Sequence, residues 1–173
     1  MCYAVTGDNR YHSIIGGKVC FAVCPSDTAI ALSALNATIV TNKRSIPIGD
    51  FYEVLSNVLD TDEIVTEVQV PAPVAGTKQT FTKFALRKAI DFAIVSVSTA
   101  ISSSDARIVL GAVAPVPYRA TAAEDVIRGK AITEALAEEA AAAAVKDAIP
   151  LSNNKYKIQI AKVMVKRAIL TLA

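Results

Sequence analysis

MCYAVTGDNRYHSIIGGKVCFAVCPSDTAIALSALNATIV, residues 1–40, holds the most about how this chain folds. Cys2 and Cys20 stand on either side of a polar stretch that carries Gly7, Gly16 and Gly17. The runs CYAV (2–5), YHSII (11–15) and VCFAV (19–23) have β-type composition and read as short strands. Pro25-Ser26-Asp27 then opens a helix, because proline suits a helix start and the Ser26 and Asp27 oxygens can take its free N–H groups. Ala29, Ile30, Leu32, Ala34 and Leu35 follow at helical spacing, and Asn36 is a natural stop.

Outward from this stretch, ATIVT (37–41) and EIVTEVQV (63–70) read as two further strands, and Asp50-Phe-Tyr-Glu53 as a capping box opening a short helix. Pro71-Ala-Pro73-Val-Ala-Gly76-Thr-Lys78 interrupts any ladder, so a first unit over residues 1–72 and a second over 77–173 are expected. In the second unit Gln79–Arg87, Ala93–Ile101 and Ala106–Ala114 predict three antiparallel strands. Helices follow. Thr121-Ala-Ala-Glu124 reads as a capping box for a helix ending by Gly129, and the alanine-rich Thr133–Ala148 as a close-packing helix. Lys155–Leu172 predicts a last helix whose lysines form a solvated face. Sheet followed by helices makes the fold class α+β.

Composition removes several kinds of function. The 173 residues carry 18 Lys and Arg against 16 Asp and Glu, interspersed, which is no footprint for nucleic acid. The uncharged run Phe92–Ser104 has 13 residues and six serines or threonines, short of a membrane span. Nothing after Met1 resembles a secretory signal, and three cysteines without one predict reduced thiols and a cytoplasmic location. One histidine, His12, rules out a histidine-rich zinc site, and no Gly-x-Ser-x-Gly elbow is present for a hydrolase. Asp60, Asp62 and Glu63 read as a solvated turn.

Several runs in order resemble one family. They are Cys2-x-Ala, Gly7-Asp-Asn-Arg-x-His12 and Cys20-x-Ala-x-x-Pro-Ser-Asp27 in the first unit. In the second they are Phe81-Thr-Lys83-Phe, Arg87-Lys-Ala-Ile-Asp91-Phe, Ala106-Arg-Ile-Val-Leu-Gly-Ala-Val-Ala-Pro115-Val-Pro-Tyr-Arg119 and Pro150-Leu-Ser-Asn153-Asn-Lys-Tyr156-Lys. Together they resemble the FAD-binding subunit of xanthine dehydrogenase-type molybdenum hydroxylases. Within that family they are most similar to the iron–sulfur-containing branch that includes periplasmic aldehyde oxidoreductase and 4-hydroxybenzoyl-CoA reductase. The resemblance implies the second half of an FAD-binding domain of the PCMH/vanillyl-alcohol-oxidase type, followed by a CO dehydrogenase flavoprotein C-terminal-like domain. It also implies partners: a large subunit with a molybdenum cofactor and a small subunit with [2Fe–2S] clusters. Electrons would pass from these centres to FAD and on to an external acceptor.

The same resemblance assigns residues. Asp27 matches an acidic residue that takes FAD hydroxyls, Leu59 an apolar residue against the isoalloxazine, and Lys83 a lysine near the ring's polar edge. Read from composition alone, Asp27 also suits a helix cap, Leu59 an ordinary core residue and Lys83 an exposed strand position. Cys2 and Cys20 match the last two ligands of a [4Fe–4S] cluster, which takes four thiolates; Cys24 reads as a small buried residue. Family members continue upstream into a subdomain whose glycine-rich turns hold the pyrophosphate. The expectation is therefore a fragment with the ring and ribityl side of the site, binding FAD weakly or not at all by itself. The alternative is a module that docks partner subunits without flavin.

Overall fold

Ser26, rather than Asp27, caps the first helix. Its hydroxyl accepts the Ala29 N–H at 3.1 Å and opens α1 (Asp27–Ala34), with Asp27 in the first turn. Asn36 reverses the chain in the left-handed region (φ 57°), which asparagine tolerates because its short amide can bond locally. Then come β1 (Thr38–Thr41), β2 (Ser45–Pro47), α2 (Ile48–Phe51), β3 (Tyr52–Glu53), β4 (Ser56–Asn57) and β5 (Val65–Gln69). β1 pairs antiparallel with β2 and with β5, giving the order β2-β1-β5. The computed structural model describes residues 2–173.

Asp50 and Glu53 do not form the expected capping box. Pro47, with φ fixed at −54°, stands at the N-cap, so the helix starts earlier, Asp50 falls inside α2 and Glu53 in β3.

The early strands also differ from expectation. Tyr3–Val5 is a 3-10 turn, and residues 6–25 join no ladder. Their backbone groups find partners across the molecule instead. The Ile14 and Ile15 N–H groups both donate to the Val113 carbonyl, at 2.8 and 3.0 Å, and Cys24 exchanges bonds with Ala112 and Ala114. Ile14 and Ile15 are buried in the same core as the C-terminal helices. The apolar pair that gives this run its β-type composition is the underside of a strap laid over the second lobe.

Polar side chains fasten that strap. The Asn9 amide donates to the Ala4 carbonyl and to Ser152 Oγ, both at 2.9 Å, and accepts the Asn153 N–H at 2.8 Å. Asn154 donates to the His12 and Ser13 carbonyls at 3.2 and 3.1 Å. The Lys157 ammonium donates to the carbonyls of Tyr11, His12 and Ala112 at 3.1, 3.0 and 2.5 Å.

The second lobe is a four-stranded antiparallel sheet in the order β6-β7-β8-β9, formed by β6 (Lys78–Phe84), β7 (Val95–Ile101), β8 (Ala106–Gly111) and β9 (Tyr118–Arg119). The two-residue β9 is one strand more than the sequence predicts. On one face Val95, Val97, Ile108 and Leu110 meet α3 (Thr121–Ile127) and α5 (Tyr156–Leu170), on which α4 (Glu134–Ala144) packs in turn. Ala137, Ala140, Ala141 and Ala144 let α4 approach closely, the packing expected of an alanine run. Thr133 caps α4 as a side-chain acceptor, but Ala120 stands at the N-cap of α3 with no side-chain bond. Glu124 therefore makes no capping box. Its buried carboxylate takes the Ile108 N–H at 3.0 Å and Arg119 Nε at 2.9 Å.

The other face of the sheet receives α1, where Ile30 and Ala34 meet Val109. Gly111 makes this approach possible: a methyl there would lie 2.5 Å from Ser96 Oγ and 3.1 Å from Ile30 Cγ2. No single sheet runs through both lobes among the described residues.

Candidate functional site

Because α1 crosses the second sheet, its first turn ends beside β6. Lys83 Nζ donates to Asp27 Oδ2 at 2.7 Å, and both side chains are about a third exposed, at 29% and 36%. The second oxygen, Asp27 Oδ1, is buried and has no hydrogen-bond partner. A buried acceptor left unpaired costs about 1–3 kcal/mol unless something donates to it. An apolar cavity of about 480 Å³ opens nearby in the chain path, walled by Val23, Pro25, Leu86 and Phe92. Pro25 comes two residues before Asp27, and Leu86 three after Lys83. Arg87 and Asp91, paired at 3.3 Å, also line the cavity; the guanidinium holds the Asp91 carboxyl below the usual carboxylate range.

Asp27 and Lys83 thus come together, and Leu59 stands apart from them. Leu59 is half-buried against the first-lobe cluster of Ala37, Ile39, Ile46 and Ile48. Leu32 of α1 packs on that same cluster, so one helix carries Asp27 at its start and backs the Leu59 region further along.

The residues suit FAD on the side of its hydroxyls: an orphaned, buried carboxylate oxygen next to an ammonium accepts a hydroxyl proton, and apolar walls suit a flat ring. They do not suit a cluster in the same way. Cys2, at the N-cap of the 3-10 turn, Cys20 and Cys24 are free and half-buried, and Cys20 Sγ accepts the Ala22 N–H at 3.3 Å. The CYAV and VCFAV segments that carry Cys2 and Cys20 do not pair as strands. Among the described residues no three His, Cys, Asp or Glu side chains gather as a metal-ligand set. His12 contributes through its backbone, accepting from Asn154 and Lys157.

Two charged groups escape a reading from sequence. Glu63, from the turn expected to be solvated, has no exposed side-chain surface; Arg44, the Asp60 N–H and the Thr41 hydroxyl hold its carboxyl at about 2. Lys157, from the helix expected to show its lysines to solvent, is 1% exposed, and burial pushes its ammonium down to about 8. Only a partner far along the chain could have revealed either one. No helix among the described residues is long and apolar enough to cross a membrane.

Residues 80–172 match the family described as CO dehydrogenase flavoprotein C-terminal domain, and residues 7–73 the FAD binding domain in molybdopterin dehydrogenase. The chain belongs to the FAD-binding medium subunits of the molybdopterin dehydrogenase family. Among its relatives it is 32% identical to the aldehyde oxidoreductase FAD-binding subunit PaoB of Escherichia coli (strain K12), over 93% of this chain and 52% of that protein. It is 30% identical to the glyceraldehyde dehydrogenase medium chain of Sulfolobus acidocaldarius, over 92% of this chain and 61% of that one. Of solved structures, carbon monoxide dehydrogenase from Hydrogenophaga pseudoflava superposes with a TM-score of 0.74 at 31% identity, covering 83% of this chain and 58% of that chain. Quinoline 2-oxidoreductase from Pseudomonas putida 86 gives 0.76 at 26% identity, covering 95% and 59%. The chain spans 52% and 61% of the length of the two curated relatives named.

Proposed function

We propose that this chain supplies Asp27, Lys83 and Leu59 to the FAD site of a molybdenum hydroxylase. In that assembly electrons come from a large molybdenum subunit by way of [2Fe–2S] clusters in a small one, and leave to an external acceptor. The observation that carries the reading is the divided state of Asp27, with one oxygen paired to Lys83 and the other buried without a donor. FAD, when bound, supplies the electron-carrying chemistry. The chain's own groups bind and bias it. Asp27 accepts hydroxyl protons, the Lys83 ammonium favours electron density on the ring, and Leu59 keeps one side dry.

The test is a titration of FAD into the full chain, followed by flavin fluorescence. Binding is expected to be weak, and Asp27→Ala to weaken it by about 10-fold or more, the effect of losing a hydrogen bond to a charged group. Lys83→Met should weaken it less. Identical titration curves for the wild type and Asp27→Ala would remove Asp27 from the site.

A further inference from the structure

Leu59 has an apolar side chain that nothing polar can hold, yet the peptides on both sides of it are held. The Val58 carbonyl accepts from Arg44 Nη2 at 2.6 Å, and the Asp60 N–H donates to Glu63 Oε2 at 3.0 Å. The Leu59 N–H itself donates to Asn57 Oδ1 at 3.0 Å. Arg44 and Glu63 are joined twice, Nε to Oε1 at 2.9 Å and Nη2 to Oε2 at 3.0 Å. The Thr41 hydroxyl donates to Glu63 Oε1 at 2.7 Å, and Lys43 pairs with both Asp60 and Asp62.

A lock for the β1–β2 hairpin would need only Thr41, which already accepts the Lys43 and Arg44 N–H groups at 3.1 and 2.9 Å. Arg44 instead reaches 14 positions along the chain, to the carbonyl next to Leu59. The planar guanidinium can grip a carboxylate with two parallel bonds and still spare an N–H, which a lysine does poorly. We propose that Arg44 and Glu63 are positioning residues. They fix the turn that presents Leu59, so that a flavin ring beside it meets an apolar wall already in place. This rests on the assignment of Leu59 to the flavin site.

Two measurements on the full chain test it, using Arg44→Met, Arg44→Lys and the milder Glu63→Gln, which keeps an acceptor of the same size. In the first, amide exchange at Leu59 and Asp60 should quicken about 10-fold or more in Arg44→Met and less in Arg44→Lys, while β7 and β8 keep their protection. In the second, FAD should shift its visible absorption on binding to the wild type. At saturating FAD, Arg44→Met should bind without that shift. Unchanged exchange at Leu59 and Asp60 in all three variants overturns the proposal. So does a wild-type absorption shift in Arg44→Met, or a loss of protection spread over the whole first lobe. A wild type with no absorption shift at saturating FAD overturns the assignment of Leu59 to the flavin, and the exchange measurement then still decides whether the pair holds the turn.

Discussion

Val95, Val97, Ile108 and Leu110 of the second lobe are shut from solvent by the C-terminal helices, whereas all five residues of β5 in the first lobe are exposed. The first lobe's own buried cluster is four residues, Ala37, Ile39, Ile46 and Ile48. So small an apolar interior stabilises little by itself. What it lacks in area it replaces with charge, through Arg44 and Glu63 inside the lobe and Asp27 with Lys83 at its border. It also leans on the second lobe, by way of α1 on the sheet. Burial fixes one lobe and directional polar bonds fix the other, and directional bonds are what a ligand site needs.

The largest expected effect is a cavity in the second lobe. Leu110→Ala should cost about 3–4 kcal/mol of global stability by denaturant unfolding, whereas Ile39→Ala should cost about 2 kcal/mol or less and be seen first in first-lobe amide exchange. Equal costs with equal patterns of exchange would break the comparison.

Next is the strap. Lys157→Met leaves the Tyr11, His12 and Ala112 carbonyls without their shared donor and should cost about 2–3 kcal/mol. It also changes the pH response, because burial lowers the folded ammonium from 10.5 to about 8. Between those values the unfolded chain binds more protons than the folded one, so stability rises with pH. The wild-type melting temperature, relative to Lys157→Met, should climb from pH 8 to pH 10; a constant difference would refute this.

Acid should act on the other lobe. The Glu63 carboxyl is held at about 2 against an ordinary 4.5, so its contribution is complete above 4.5 and is lost as pH falls toward 2. Protection of the Leu59 and Asp60 amides should decline across that window ahead of β7 and β8, and Glu63→Gln should flatten the decline. If both lobes loosen together, charge is not what distinguishes them. The smallest effect belongs to an exposed pair, Asp125 with Arg128 at 2.6 Å. Asp125→Ala should cost about 0.3–0.5 kcal/mol, near the limit of chemical denaturation.

Much of this architecture was legible because it is periodic. α1, β1, β5, the proline-rich linker, β6 to β8 and the three C-terminal helices all follow from spacing and breakers. The strap was not, since Ile14 and Ile15 give the same β-type composition whether a ladder or a distant sheet covers them. Neither capping box forms: Thr121-x-x-Glu124 and Asp50-x-x-Glu53 have the right letters, but Glu124 is drawn to Ile108 and Arg119, and Pro47 starts α2 early. At the candidate site, Asp27 and Lys83 were named through resemblance, and their pairing across 56 positions is a tertiary fact. The burial of Glu63 and Lys157 is likewise decided by partners that no local window contains.

The strap has a consequence for how the chain is made. Its Asn9–Ser13 segment is synthesised well before Ser152–Lys157, the groups that fasten it, at separations of 141 to 146 positions. At about 5–20 residues per second it waits roughly 7–30 s for them. Throughout that interval Ile14 and Ile15 have no finished core to enter, and they are open to chaperones or to neighbouring chains. Slow decoding near the C-terminal helix lengthens that exposure, and a chain stalled before Ile149 leaves both isoleucines uncovered until it is released.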